Sequence, residues 1–173
     1  MEKTAHAPTQ GFHYSEDVKE ALGYSLKLAK KEFPATRFEQ VPHRYVLFGL
    51  LQNNRLFTRL DSVLKNAGLS PGRLLKRLKE QMNSPERIAG IPEGAEESMH
   101  LLVAAQQAAP NAIEPEHVLN ALLQSPDPLV KETLIASGLT EVSLHAAILK
   151  ANQKKHFSSL LFIVREVVEV VSE

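Results

Sequence analysis

One eleven-residue phrase occurs twice in this chain, and the repetition limits the folds open to it. The clearer copy is Ile113-Glu114-Pro115-Glu116-His117-Val118-Leu119-Asn120-Ala121-Leu122-Leu123. The earlier one, Val41-Pro42-His43-Arg44-Tyr45-Val46-Leu47-Phe48-Gly49-Leu50-Leu51, superposes on it without a gap. In both, a short lead-in containing proline opens a helix that is apolar almost all the way round. Such a helix has to lie inside the fold, with other helices covering it. Two of them, each within a matching run of flanking segments, predict an internally duplicated, all-α domain.

The flanking segments repeat as well. Ser15 followed by Glu16 and Asp17 marks a helix start, and Val18, Ala21, Leu22, Ser25, Leu28 and Ala29 share one face as far as about Glu32. Pro34 stops this helix. The first apolar helix ends near Asn53, and Leu56, Leu60, Val63, Leu64 and Ala67 then define a third helix closed by Gly68. Ser70 and Pro71 start a fourth, which buries Leu74, Leu75, Leu78 and Met82 and exposes Arg73, Lys76, Arg77, Lys79 and Glu80. After the connection Ser84–Pro92 the order recurs: a helix over Glu93–Ala109, the apolar helix Pro115–Gln124, and a helix capped by Asp127 that runs to Gly138. The eighth is capped by Thr140, with Val142, Leu144, Ala147, Ile148 and Ala151 as its inner surface. The phrases Ala67-Gly68-Leu69-Ser70 and Ser137-Gly138-Leu139-Thr140 match as helix stop, apolar contact and next cap.

With the duplicated four-helix unit and these phrases together, the chain resembles the double Clp-N domain, the N-terminal domain of Clp-type AAA+ unfoldases and disaggregases. The resemblance covers roughly His13 to Gln153, and its most specific piece is the phrase from Ile113 to Leu123. The first copy departs from the pattern, with Arg44 and Tyr45 in place of the usual Glu-His. The resemblance implies eight helices with pseudo-twofold symmetry, repeat one over 13–83 and repeat two over 92–153; the tail over 1–12 lies outside it, and the segment over 154–173 stands where the family would have a polar linker. It further implies a domain without catalysis that recognises apolar or unfolded peptide, or an adaptor protein, for a Clp chaperone or protease. The alternative is a stand-alone accessory subunit that docks on a Clp ATPase or protease ring and regulates its assembly.

By local matching, the family's substrate groove falls on Ser15, Met99, Leu101 and His117, with Leu102 as a neighbour. From the residues alone, Met99 and the leucines read equally as core, Leu102 most of all. His117, at the start of a buried helix, reads first as a packed side chain donating to a nearby carbonyl. Glu116 is a first-turn carboxylate favoured by the helix dipole. In some relatives the matching Glu recognises phosphorylated arginine; Arg44 at the first copy argues against a two-site reader here.

Composition excludes several other classes. Formal net charge is zero, so no long-range field draws in nucleic acid or acidic lipid, and the basic run Arg73–Lys79 reads as a solvated helix face. Cysteine is absent, which removes disulfides and thiolate metal sites and suits a cytoplasmic protein. No phosphate loop of the form Gly-x-x-x-x-Gly-Lys-Ser/Thr, nucleophile elbow or clustered histidines appear, so neither an enzyme nor a cofactor or metal site is expected. Met1–Gly11 is polar and reads as neither signal peptide nor membrane anchor.

Beyond Gln153 stands Leu160-Leu161-Phe162-Ile163-Val164-Arg165-Glu166-Val167-Val168-Glu169-Val170-Val171. Its valines favour a strand, whereas the grouping of Leu161, Val164, Val168 and Val171 opposite Arg165, Glu166, Glu169 and Glu173 favours a helix, which is the expectation adopted. Arg165 and Glu166 at its centre argue against a membrane span. Each large apolar side chain is worth roughly 1.5–3 kcal/mol on burial, so the segment is expected to pack on its own domain or on another copy as a homodimer contact or swapped tail.

Overall fold

A computed structural model describes residues 13–34, 38, 40–53, 58–83, 97–109 and 111–153. The 1–12 tail, the Ser84–Pro92 connection and the C-terminal segment with Leu161, Val164, Val168 and Val171 lie outside them. Among the described residues there are eight helices: α1 (Glu16–Glu32), α2 (His43–Gln52), α3 (Thr58–Asn66), α4 (Pro71–Met82), α5 (Ser98–Ala108), α6 (Pro115–Leu122), α7 (Pro128–Ala136) and α8 (Glu141–Gln153). The described residues contain no strand, only an isolated bridge between Tyr14 and Ile113.

The anticipated punctuation is in place. The Ser15 hydroxyl accepts from Val18 N–H (3.3 Å), Ser70 from Arg73 N–H (3.4 Å), Asp127 from Leu129 N–H (3.0 Å) and Thr140 from Ser143 N–H (3.1 Å). Gly68 and Gly138 take φ of +76° and +87°, a region in which a β-carbon is strained. There they let Leu69 N–H reach Leu64 C=O (2.9 Å) and Leu139 N–H reach Leu134 C=O (3.3 Å), closing α3 and α7 in the same way.

Two expectations need adjusting, and one lies partly outside the described residues. Val142 does not join the inner surface of α8: it is 80% exposed, while Leu144 and Ala147 are buried. At the second position of its helix, Val142 falls on the opposite side from Leu144, two residues on, because two residues rotate a helix by about 200°. The second apolar helix ends at Leu122, two residues early, where Leu123 and Gln124 donate to the carbonyls of Asn120 and Ala121 and tighten the last turn. Described residues of α5 begin at Ser98; Glu93 and the residues up to 96 lie outside.

The apolar helices form the centre. In α2, Tyr45, Val46, Leu47, Leu50 and Leu51 are buried, as are Val118, Leu119, Ala121 and Leu122 in α6. α1 covers α2 and α5 covers α6, while α2 and α6 touch each other. α1 lies close on α2 because Gly49 has no side chain: a β-carbon there would collide with the Ser25 hydroxyl, which donates to Ala21 C=O (2.6 Å).

Contacts between halves are reciprocal. α2 touches α7 and α6 touches α3. At the lead-in to α6, Ser15 N–H donates to Ile113 C=O (2.9 Å) and Ile113 N–H to His13 C=O (2.7 Å). At the lead-in to α2, Val41 N–H donates to Ser98 Oγ (3.2 Å) and Met99 N–H to Gln40 Oε1 (2.7 Å). Each half thus sets the start of its first helix against the other half's central helix, as an approximate dyad requires.

No single helix among the described residues is long and apolar enough to cross a membrane; α7 and α8 would suffice only jointly, and they bend by 68° at their junction.

Candidate functional site

Charged side chains are buried where the halves meet. Arg44, on α2, forks onto Asp127 at the start of α7, Nε to Oδ2 at 2.8 Å and Nη2 to Oδ1 at 3.1 Å. Both side chains are almost fully enclosed. This pair continues into a chain of hydrogen bonds. Asp127 N–H donates to Ser125 Oγ (3.1 Å), Ser125 Oγ lies 2.8 Å from His43 Nδ1, and His43 Nε2 is 3.0 Å from Glu97 C=O. A carbonyl only accepts, so Nε2 of the neutral ring carries the proton, leaving Nδ1 to accept from the Ser125 hydroxyl.

The second pair is the counterpart with its signs exchanged. Glu116 occupies in α6 the place of Arg44 in α2, and it accepts from Arg59 Nε near the start of α3. Glu116 is 0% exposed and Arg59 31%, and Arg59 Nη2 also donates to Asn152 at the end of α8. Among the described residues Glu116 Oε1 has no hydrogen-bond partner.

His117 is buried beside it and turns back on its own helix. Its Nδ1 accepts from Glu114 N–H (2.9 Å), one arm of a reciprocal capping box. The expected donation to a carbonyl is reversed: the ring accepts instead, because the backbone N–H groups at a helix start lack partners within the helix. Burial, aided by Arg59 and opposed by Glu116, holds its pKa below the ordinary 6.5. At the matching position of α2, Tyr45 is buried and reaches across to donate to Glu32 at the end of α1; burial and that carboxylate push its phenol pKa up.

These placements divide the groove set. Glu116 and His117 are enclosed, and Leu101 and Leu102 belong to the core, so none of the four offers surface to a partner in this conformation. Ser15 and Met99 are partly exposed, but Ser15 meets the α6 lead-in and Met99 the α2 lead-in, at opposite junctions between halves. Among the described residues no cluster of three His, Asp or Glu side chains could hold a metal.

A different concavity does open to solvent. It lies where the end of α2, the outer side of α3 and the start of α4 meet, with a volume of about 640 Å³. Leu51, Pro71 and Leu75 give it apolar walls; Gln52, Asp61, Lys65, Ser70 and Gly72 complete the lining. Lys65 pairs with Asp61 at 2.8 Å. One turn beyond Leu75, the Lys79 ammonium lies over the Phe48 ring, 5.7 Å from its centre.

Compared with protein-family models and with curated proteins, the chain matches none.

Sequence reasoning missed Arg59, the Arg44–Asp127 fork and the cavity. One signal was available: Arg44 and Glu116 stand at the same place in two otherwise apolar helices, and each needs an opposite charge brought by another segment.

Proposed function

We propose that this chain is a protein-binding domain without catalysis, of the Clp N-terminal type, serving a Clp AAA+ chaperone or protease in protein quality control. Its ligand is apolar, unfolded polypeptide or an adaptor segment. The observation that carries the reading is the open concavity of about 640 Å³ with leucine and proline walls, large enough for one or two apolar side chains of an extended peptide. The duplicated eight-helix architecture supports it through the resemblance.

Anisotropy of a labelled, permanently unfolded polypeptide tests the proposal. Micromolar binding to the full chain is expected. Leu75→Glu should weaken it at least about tenfold by placing a charge in the apolar wall. Met99→Glu gauges the groove suggested by the resemblance. No binding at all rejects the reading, and binding untouched by Leu75→Glu rejects the cavity as its seat.

A second reading, the stand-alone accessory subunit, is favoured by the exposed Ile135 on α7 and Val142 and Leu149 on α8. It predicts co-purification with a Clp ATPase or protease ring and no peptide binding.

A further inference from the structure

The internal duplication carries the concavity's position over to the second half. Asp61, Lys65, Ser70, Gly72 and Leu75 are part of its lining. The residues standing seventy places later, as Gly138 stands to Gly68, are Lys131, Ile135, Thr140, Val142 and His145. Ser70 and Thr140 make the same cap, and the two glycine stops close in the same way, so the register holds from α3 and α7 into α4 and α8. Lys65 and Gly72 border one hollow; the approximate dyad therefore brings Ile135 and Val142 to one place on the second half.

Two exchanges change the character of that place. Where Lys65 reaches back to Asp61, the second half has Ile135 one turn after Lys131, so a paired charge gives way to a bare apolar side chain. Where Gly72 leaves open space, with nothing nearer to an added β-carbon than Ser70 Oγ at 3.9 Å, the second half sets Val142. Ile135 is 66% exposed and Val142 80%. A hollow with apolar walls is thus matched across the dyad by an exposed apolar patch, a surface that favours being covered.

An unfolded polypeptide suits both places, since it presents apolar side chains at many spacings along one chain. A domain of this size is about 40 Å across, which an extended chain spans in about a dozen residues. One long polypeptide can pass round the surface from the hollow to the patch.

We infer that the Ile135–Val142 surface is a second seat for apolar polypeptide, and that a single unfolded chain engages it together with the concavity. The inference rests on the function proposed above and adds to it a preference for long ligands. Once the first seat is filled, the second meets a chain that is already tethered, whereas a short peptide with one apolar anchor gains nothing from the pair.

Two probes separate the seats: the labelled unfolded polypeptide, and a short peptide carrying a single leucine. Ile135→Glu together with Val142→Glu leaves the core untouched, because both side chains stand in water. In the full chain these substitutions should weaken the long polypeptide at least about tenfold. In an NMR titration they should reduce the short peptide from two bound copies to one, and adding Leu75→Glu should remove that one. A single bound copy on the unsubstituted chain, or a long polypeptide indifferent to Ile135→Glu and Val142→Glu, overturns the inference. So does a loss confined to co-purification with a Clp ring. Failure of the underlying reading looks different: neither probe binds at all.

Discussion

The first and second halves of the molecule share a frame and differ in what they hang on it. Helix ends are closed by the same glycine geometry, at Gly68 and Gly138, and both central helices send a charge across to the other half. Yet the first half sends Arg44 and the second Glu116. Their last helices diverge further. α4 faces solvent with Arg73, Lys76, Arg77, Lys79 and Glu80, whereas α8 interleaves Val142, Ala146 and Leu149 with Glu141, His145 and Lys150 on its exposed side. Backbone geometry constrains sequence only at caps, stops and apolar positions, so the surface of a duplicated unit is free to specialise.

The two ion pairs offer the sharpest test of this difference. Asp127→Ala takes the carboxylate from Arg44 and the cap from α7, and should cost about 3–5 kcal/mol in chemical denaturation because both groups are enclosed. Arg59→Ala leaves Glu116 buried without its cation but removes a side chain that is partly wet, and should cost less, about 2 kcal/mol. Equal losses would mean that the two crossings bear equal strain despite their different exposure.

The glycine stops sharpen the comparison from the other side. Gly68→Ala and Gly138→Ala each force an alanine into left-handed backbone with open space around it, so each should cost about 1–2 kcal/mol and the two should agree. Disagreement would show that the frames of the halves are not equivalent.

The smallest effect is a pH dependence carried by His117 in the second half. His117 is held below its ordinary pKa of 6.5 by burial, so the unfolded chain takes up a proton that the folded chain refuses. Its contribution is present above that value and declines as pH falls below it toward the folded pKa. The slope is at most about 1.4 kcal/mol per pH unit for one group. His117→Gln should flatten the dependence in denaturation midpoints measured across pH 5–8, while Tyr45→Phe in the first half should leave it in place.

Much of the frame was legible in the sequence because it depends on local rules. Ser15, Ser70, Asp127 and Thr140 cap as their positions suggest, and α2 and α6 are buried as their composition demands. Boundaries drifted where local signals compete: Leu123 and Gln124 continue the apolar pattern of α6 yet close it with a tighter turn. The site was poorly legible for a different reason. Arg59 and Glu116 are 57 residues apart and Arg44 and Asp127 are 83 apart, and only the folded chain brings them together. Asp127 announced itself as a cap and concealed a second task, holding Arg44.

The exchanged polarity of the two crossings also decides who can pair with whom. A first half meeting another first half in the same way would set Arg44 against Arg59, and a second half meeting its own kind would set Glu116 against Asp127. Like charges confined out of water repel, so self-association of either fragment by this route is penalised while association of unlike fragments is rewarded. Severed between α4 and α5 and mixed, the two fragments would behave as an obligate heterodimer.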